Sequence, residues 1–267
     1  MSKHFVDVWQ GGLSLSADTL ARLASRLSEE ETLKAQAFKL PALRDRYIAA
    51  RGVLREALAS YSAVDPATLK FGAGPYGKPA LIDGALHFNI SHTADSLLMA
   101  IANFPDIGID IEAVKLRRNF ASLAQRCFSE REYQGWYELP TESQAEAFYR
   151  LWTKKEAFVK AVGRGIALGI EQCEFELDTG GQLLAIPDEY GPASAWLVHE
   201  LDVGDAVNPA LDLCRSGVGR SSVTELGSVF RGNDDFGEFQ GRINNSCAAL
   251  VTPACSYDLR RLALSAD

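Results

Sequence analysis

The chain has 267 residues, 47% of them hydrophobic and 23% charged, a balance that suits a cored globular fold of one large or two small domains. Its 27 basic and 35 acidic residues leave a net charge of -8, which excludes nucleic-acid binding over most of the surface but leaves room for a local basic pocket. No apolar run reaches the roughly 18 to 20 residues that cross a bilayer, and Met1-Ser-Lys-His lacks the apolar core of a secretory signal, so a cytoplasmic protein without a membrane partner is expected. Cys127, Cys173, Cys214, Cys247 and Cys255 form no C-x-x-C pair, and they read as reduced packing residues.

Helical signals dominate the first third of the chain. Ser28 followed by Glu31 matches a capping box, with Leu33, Ala35 and Phe38 as the apolar positions behind it. Pro41 opens a longer pattern through Leu43, Tyr47, Ile48, Leu54 and Leu58, which also carries Arg44, Arg46, Arg51 and Arg55. Gly72, Gly74, Pro75, Gly77 and Pro79 then break the chain, and short apolar runs follow. Strands are expected at 86–91, 97–102 and 107–114, the last two joined as a hairpin through Asn103-Phe104-Pro105-Asp106.

The second half repeats the order of helices followed by strands. Ser129 with Glu132, and Thr141 with Gln144, are capping-box candidates, and the second opens a long helix through Phe148, Leu151, Trp152, Phe158 and Val162 that stops at Gly163 and Gly165. Strands are expected at 173–177, 183–186 and 195–201, and two similarly ordered halves meet near residue 105. Residues 207–246 hold six Gly, five Ser and four Asn without a helical or strand period, so they read as a flexible insert. Joining Gly204-Asp-Ala to Cys247-Ala-Ala-Leu-Val would give one strand, which suggests that the insert interrupts it.

Gly108-Ile109-Asp110-Ile111-Glu112 is the first cluster that carries chemistry. On a strand, residues two apart share a face, so Asp110 and Glu112 point one way while Ile109 and Ile111 point into a core. Two carboxylates on one face repel unless something positive lies between them, and a hard cation such as Mg²⁺ suits oxygen donors. A solvated strand edge kept soluble by its acids is the alternative. The second cluster is Trp152-Thr-Lys-Lys155-Glu156-Ala-Phe-Val-Lys160, where Glu156 and Lys160 share a helix face; an ordinary surface pair is the bland reading, but Arg150, Lys154, Lys155, Lys160 and Arg164 lie within fifteen residues of a single acid. The third is Leu86-His-Phe-Asn-Ile-Ser91-His92, preceded by Tyr76-Gly-Lys78-Pro: Lys78, Ser91 and His92 can donate to phosphate oxygens, whereas a turn histidine satisfied by backbone is the plainer account of His92.

In this order and spacing, Tyr76-Gly-Lys-Pro, Phe88-Asn-Ile-Ser-His92, Ile107-Gly-Ile-Asp-Ile-Glu112, Phe148-Tyr-Arg-Leu-Trp-Thr-Lys-Lys-Glu-Ala-Phe-Val-Lys160 and the following Gly163-Arg-Gly-Ile resemble the 4′-phosphopantetheinyl transferases of the large, surfactin-synthetase-activating type. The resemblance covers about residues 33–206 and resumes at Cys247. It implies an α+β monomer of two similar α/β halves related by a pseudo-twofold axis, residues 1–104 and 105–267, with coenzyme A and Mg²⁺ in the cleft between them. The implied reaction moves the phosphopantetheine arm of coenzyme A onto a serine of an apo acyl or peptidyl carrier protein and releases adenosine 3′,5′-bisphosphate. By position, Asp110, Glu112 and Glu156 would be the Mg²⁺ ligands, while Lys34, Lys78, Ser91 and His92 would contact the phosphates of coenzyme A. Lys155 and Lys160 would line the pyrophosphate and carrier side, with Glu156 taking the serine proton and Lys160 stabilising or protonating the leaving phosphate. Arg46 and Arg51 take no role from the resemblance. A non-catalytic coenzyme A or carrier-protein binder and a Mg²⁺-dependent phosphohydrolase are the competing functions. Positive charge is concentrated in the stretches assigned to the cofactor and carrier: residues 34–78 hold eight basic and three acidic groups, and residues 150–164 five and one.

Overall fold

The computed structural model of the chain describes residues 4–62, 64–82, 84–115, 119–178, 180–203, 246–255 and 257–263. The chain opens with strand β1 (His4–Gly12), then helices α1 (Ala17–Ala24), α2 (Glu29–Gln36) and α3 (Pro41–Ala59). Strands β2 (Phe71–Ala73) and β3 (Pro79–Leu81) form a small hairpin, followed by β4 (His87–Thr93), β5 (Ser96–Ala102) and β6 (Gly108–Ala113). Helices α4 (Phe120–Cys127), α5 (Glu130–Tyr137) and α6 (Thr141–Val162) come next. The remaining strands are β7 (Glu174–Phe175), β8 (Leu183–Ala185), β9 (Trp196–Glu200), β10 (Ser246–Pro253) and β11 (Tyr257–Ala263).

Two larger sheets result, ordered β11-β1-β5-β4 and β6-β10-β9. They share a core in which Val6, Val8, Leu98 and Ala100 meet Ile107, Ile109, Ile111 and Leu250. A second core wraps α6 through Phe148, Leu151 and Phe158, and a third sits under α3. The sheets meet edge to edge through side chains: Asn89 Oδ1 on β4 accepts from Ile109 N on β6 at 2.9 Å, and Thr93 Oγ1 accepts from Ala113 N at 3.2 Å. Side-chain acceptors thus stand in for a strand ladder between the two sheets.

The capping boxes at Ser28 and Ser129 form as the sequence predicts, each with its Glu side chain returning to the cap backbone. The one expected at Thr141 does not. Pro140 caps α6 without a side-chain bond, and Gln144 Nε2 is drawn instead to the carbonyls of Tyr137 and Leu139 that end α5. Gly163, at φ 71°, ends α6 in the left-handed conformation. The predicted hairpin at 97–114 also fails: β5 pairs with β4 through a turn at Ala94 and Asp95, while β6 crosses to the other sheet. Asp106, at φ 63°, redirects the chain there.

The strand expected to join Gly204-Asp-Ala to Cys247 has its first part at 204–206, outside the described residues. β9, expected separately at 195–201, and β10 are antiparallel neighbours with Glu200 opposite Ala249. Of the expected insert only Ser246, the first residue of β10, is described; 207–245 lie outside the described residues. β11 pairs in parallel with β1, so the last described strand of the chain lies on the sheet that holds the first.

β6 approaches α6 more closely than a side chain would allow. A Cβ on Gly108 would lie 2.0 Å from Ala157 O and 2.2 Å from Ala161 N. Gly108→Ala should therefore lower the unfolding free energy by about 3 kcal/mol, whereas Gly12→Ala should change it by less than about 1 kcal/mol; at Gly12 the nearest atom would be 3.7 Å away. Equal urea midpoints for the two variants would show that the contact yields without cost.

Candidate active site

β6 and α6 carry the acidic and basic groups that face each other. Asp110 is fully buried, and Lys160, one helical turn beyond Glu156, reaches it with Nζ 2.6 Å from Oδ1. The same ammonium donates to Ile109 O at 3.0 Å and to Ser91 Oγ at 3.2 Å, so one cation ties β4, β6 and α6 together. Burial pushes Asp110 well above the usual carboxylate range; Lys160 opposes this, while the charges of Glu156 and Glu112 add to it. Burial likewise lowers Lys160, with Asp110 pulling it back toward the charged form. Asp110 Oδ2 is buried without a hydrogen-bond partner among the described residues, and Glu112 Oε2 accepts from Thr93 Oγ1 at 3.3 Å.

Two cavities adjoin this contact. The first, about 570 Å³, is lined by Glu156, Lys160 and Asn89 together with the apolar Leu123, Trp152 and Ile170. The second, about 820 Å³, gathers Lys34, Arg46, Arg51, Arg55, Lys70 and His92, with Glu29, Glu30 and Glu31 also in its lining, and is the more basic of the two. Pro79 lines both. Strand alternation on β4 sorts the neighbours: Ser91 points to Lys160, while His92, next in sequence, lines the basic cavity. Burial, followed by the charges of Lys160 and Arg46, lowers His92 from the ordinary histidine range.

The sequence model of the 4′-phosphopantetheinyl transferase superfamily matches residues 106–212, which include β6, α6 and the residues between them. The 4′-phosphopantetheinyl transferase HetI of Nostoc sp. is 38% identical over 200 residues, covering 73% of this chain and 82% of its own. The 4′-phosphopantetheinyl transferase Sfp of Bacillus subtilis strain 168 is 31% identical over 192 residues, covering 71% and 84%. A further 4′-phosphopantetheinyl transferase of Bacillus subtilis is 35% identical over 182 residues, covering 67% and 79%. The chain belongs to the 4′-phosphopantetheinyl transferase superfamily.

Within this superfamily member, the residues expected at the site divide sharply. Lys160 contacts both Asp110 and Ser91, the charges of Glu112 and Glu156 act on Asp110, and Lys34 and His92 line the second cavity. Lys155 does not join them, because its fully buried ammonium lies 2.7 Å from Glu132 Oε2 and also donates to the carbonyls of Ile170 and Cys173. Its ammonium is engaged within the protein, which leaves the expected contact on the pyrophosphate and carrier side without support. Lys78 borders the first cavity, yet its ammonium donates to Ile107 O at 3.0 Å and Ala161 O at 2.9 Å, which leaves the expected phosphate contact without support. The basic stripe of residues 150–164 is likewise engaged within the protein: Lys154 lies 2.5 Å from Glu200, and Arg164 lies 2.9 Å from Glu189. Arg46, Arg51, Arg55 and Lys70 also line the second cavity and take no role from the sequence; the run of arginines on α3 is the available signal for the first three, and the lone Lys70 gives none.

The donor set suits a hard cation. Asp110 offers an unpartnered buried oxygen, an arrangement that costs free energy unless a ligand meets it, and Glu112 and Glu156 add two carboxylates. Among the described residues, no group of three or more His, Cys, Asp or Glu side chains is gathered closely enough to enclose a metal ion. Mg²⁺ does not require one, since it is usually held by one or two carboxylates together with water and substrate phosphates.

Lys155→Met should cost about 3 to 5 kcal/mol in a denaturant melt, because it strands the buried Glu132 carboxylate, and coenzyme A affinity should change by less than about twofold. A tenfold loss of affinity at unchanged stability would return Lys155 to the ligand site.

Proposed function

We propose that the chain transfers the 4′-phosphopantetheine arm of coenzyme A to a serine of an apo acyl or peptidyl carrier protein and releases adenosine 3′,5′-bisphosphate. The buried contact between Lys160 and Asp110 carries this reading: Lys160 lines the cavity that also holds Glu156, and its partner Ser91 adjoins His92 of the basic cavity. The 3′-phosphate and diphosphate of coenzyme A are the polyanion that Lys34, Arg46, Lys70 and His92 would receive. Of Asp110, Glu112 and Glu156, one or two carboxylates at a time would hold Mg²⁺ together with water and the diphosphate, and the ion would neutralise the diphosphate and polarise the attacked phosphorus. Glu156 would take the proton of the carrier serine at a carboxylate oxygen. Lys160 would hold Asp110 in place and lend its positive charge to the leaving phosphate; its donors to Asp110, Ser91 and Ile109 O favour a fixed charge over proton delivery.

The finer architecture belongs to the same proposal. A pseudo-twofold relation between residues 1–104 and 105–267 is supported by the long helix in each half, α3 or α6, with its own apolar core. β11 then returns from the second part to the sheet of the first. The enzyme is taken to act as a cytoplasmic monomer without nucleic acid, in keeping with its net charge of -8. Among the described residues, no helix is long and apolar enough to cross a membrane.

Incubation with coenzyme A, Mg²⁺ and a panel of apo carrier proteins should add the phosphopantetheine mass to at least one carrier. Asp110→Ala and Glu156→Gln should each slow that transfer by about a hundredfold or more. Near-wild-type rates would remove them from the site. Coenzyme A binding without loading of any carrier would instead indicate a binder, and adenosine bisphosphate released without an acceptor would indicate a phosphohydrolase.

His92 supplies a test that does not depend on turnover. Burial, with the charges of Lys160 and Arg46, favours its neutral imidazole in the free protein, and a phosphate beside it favours the imidazolium, so coenzyme A binding should take up a proton there. Calorimetry in buffers of different ionisation enthalpy should show the uptake, and His92→Gln should abolish it. Identical heats in every buffer for the wild type would place the phosphates elsewhere.

A further inference from the structure

We infer that Lys78 is a positioning residue, which fixes the C-terminal turn of α6 against the start of β6 and so keeps Glu156 and Lys160 opposite Asp110 and Glu112. The inference rests on the reading of those four residues as the site. Lys78 belongs to the turn between β2 and β3, where Gly74 N donates to Lys78 O at 2.8 Å and Gly77 N to Gly74 O at 2.9 Å. Gly77, at φ 85°, takes a backbone conformation that other residues rarely adopt, and this tight turn sets the direction of the next side chain. That side chain passes Gly163, where an added Cβ would lie 3.3 Å from Lys78 Cδ, and its ammonium reaches Ile107 O and Ala161 O at 3.0 and 2.9 Å. These carbonyls flank the closest approach of the two site-bearing elements, since Gly108 packs against Ala157 and Ala161. Ala161 O also lies among the last carbonyls of α6, which the helix itself leaves without donors.

A second contact anchors the same turn to the same helix end. The Arg164 guanidinium, just beyond Gly163, lies 4.8 Å from the centre of the Tyr76 ring and donates to the Tyr76 hydroxyl. Tyr76 and Lys78 therefore grip the end of α6 from one turn of the first half. Burial pushes Lys78 down to about 8, against the pull of Asp106, and a neutral amine would still have two hydrogens for two carbonyls. A brace works with either form, whereas a phosphate ligand needs the charge.

Lys78→Met and Lys78→Gln separate these roles by three measurements: amide hydrogen exchange, coenzyme A affinity and kcat. In Lys78→Met, amides in the last turn of α6 should exchange about tenfold faster or more, and kcat should fall about tenfold to a hundredfold as the site groups shift. The dissociation constant for coenzyme A should stay within about twofold. Lys78→Gln keeps an uncharged donor and should recover part of the protection and of kcat. Weaker coenzyme A binding with unchanged exchange and kcat would overturn the inference in favour of a phosphate ligand, and so would a Lys78→Met enzyme equal to wild type in all three. If Lys78→Met does not fold, the same comparisons are made between Lys78→Gln and wild type. A wild type that loads no carrier would defeat the proposed function, while hydrogen exchange would still decide whether Lys78 braces α6.

Discussion

Lys160 brings its charge into a region where the carboxylate it meets is wholly buried, and it is held there by Asp110, Ser91 and the Ile109 carbonyl. Removing two ions from water costs several kcal/mol each, and their attraction recovers this only with good geometry and with the remaining donors satisfied. The lysine meets that condition; the carboxylate does not, because Asp110 Oδ2 has no partner among the described residues. An apolar pair would fill the space more cheaply. Retaining a half-satisfied ionic pair at the junction of β4, β6 and α6 fits a site whose last ligand arrives with the substrate. The proximity of Glu156 and Glu112 deepens the need, since each makes the charge on Asp110 harder to keep.

α6 extends the same principle in three directions. Lys154, Lys155 and Lys160 are all buried, and each ends on a carboxylate from a different element: Glu200 on β9, Glu132 on α5 and Asp110 on β6. Backbone carbonyls complete the shells of Lys155 and Lys160. Breaking such a buried pair costs about 3 to 5 kcal/mol, so these contacts specify where each neighbour sits relative to the helix more than they add net stability. The positive charge of residues 150–164 that reads in the sequence as a surface for polyanions is mostly engaged in ion pairs around α6. The cavity richer in cations is lined instead from α2, α3 and the residues around β2, by Lys34, Arg46 and Lys70.

How legible all this was depends on whether the signal is local. Asp110 and Glu112 on one strand face, the capping boxes at Ser28 and Ser129, and the stop at Gly163 are set by neighbours a few residues away, and each was readable. The direction of Lys155 was not. It sits one position, about 100°, from Glu156 on the helix, and Glu132 with two carbonyls from residues 170 and 173 takes it up. β1 escaped the reading although Phe5-Val6 and Val8-Trp9 supply strand-forming residues, because Asp7 between them breaks the apolar run. That aspartate is buried because Arg260, 253 residues away in sequence, meets its Oδ2 at 2.7 Å from the neighbouring strand. A local pattern cannot contain such a partner.

β4 shows how one strand can serve both sides of a reaction site. Asn89, Ser91 and Thr93 alternate onto the face that meets β6 and Lys160, where their side chains bind Ile109 N, the Lys160 ammonium and Ala113 N. Ile90 and His92, between them, line the basic cavity. A register slip of one residue would turn His92 toward Lys160 and Ser91 toward the cations, and would take the Asn89 and Thr93 acceptors away from β6. Register on this strand is therefore constrained from both faces at once: apolar packing of Phe88 under α3 on one side, and the polar contacts across to β6 on the other. The hydrogen bonds that join the two sheets are thus the same contacts that decide which side chain reaches which cavity.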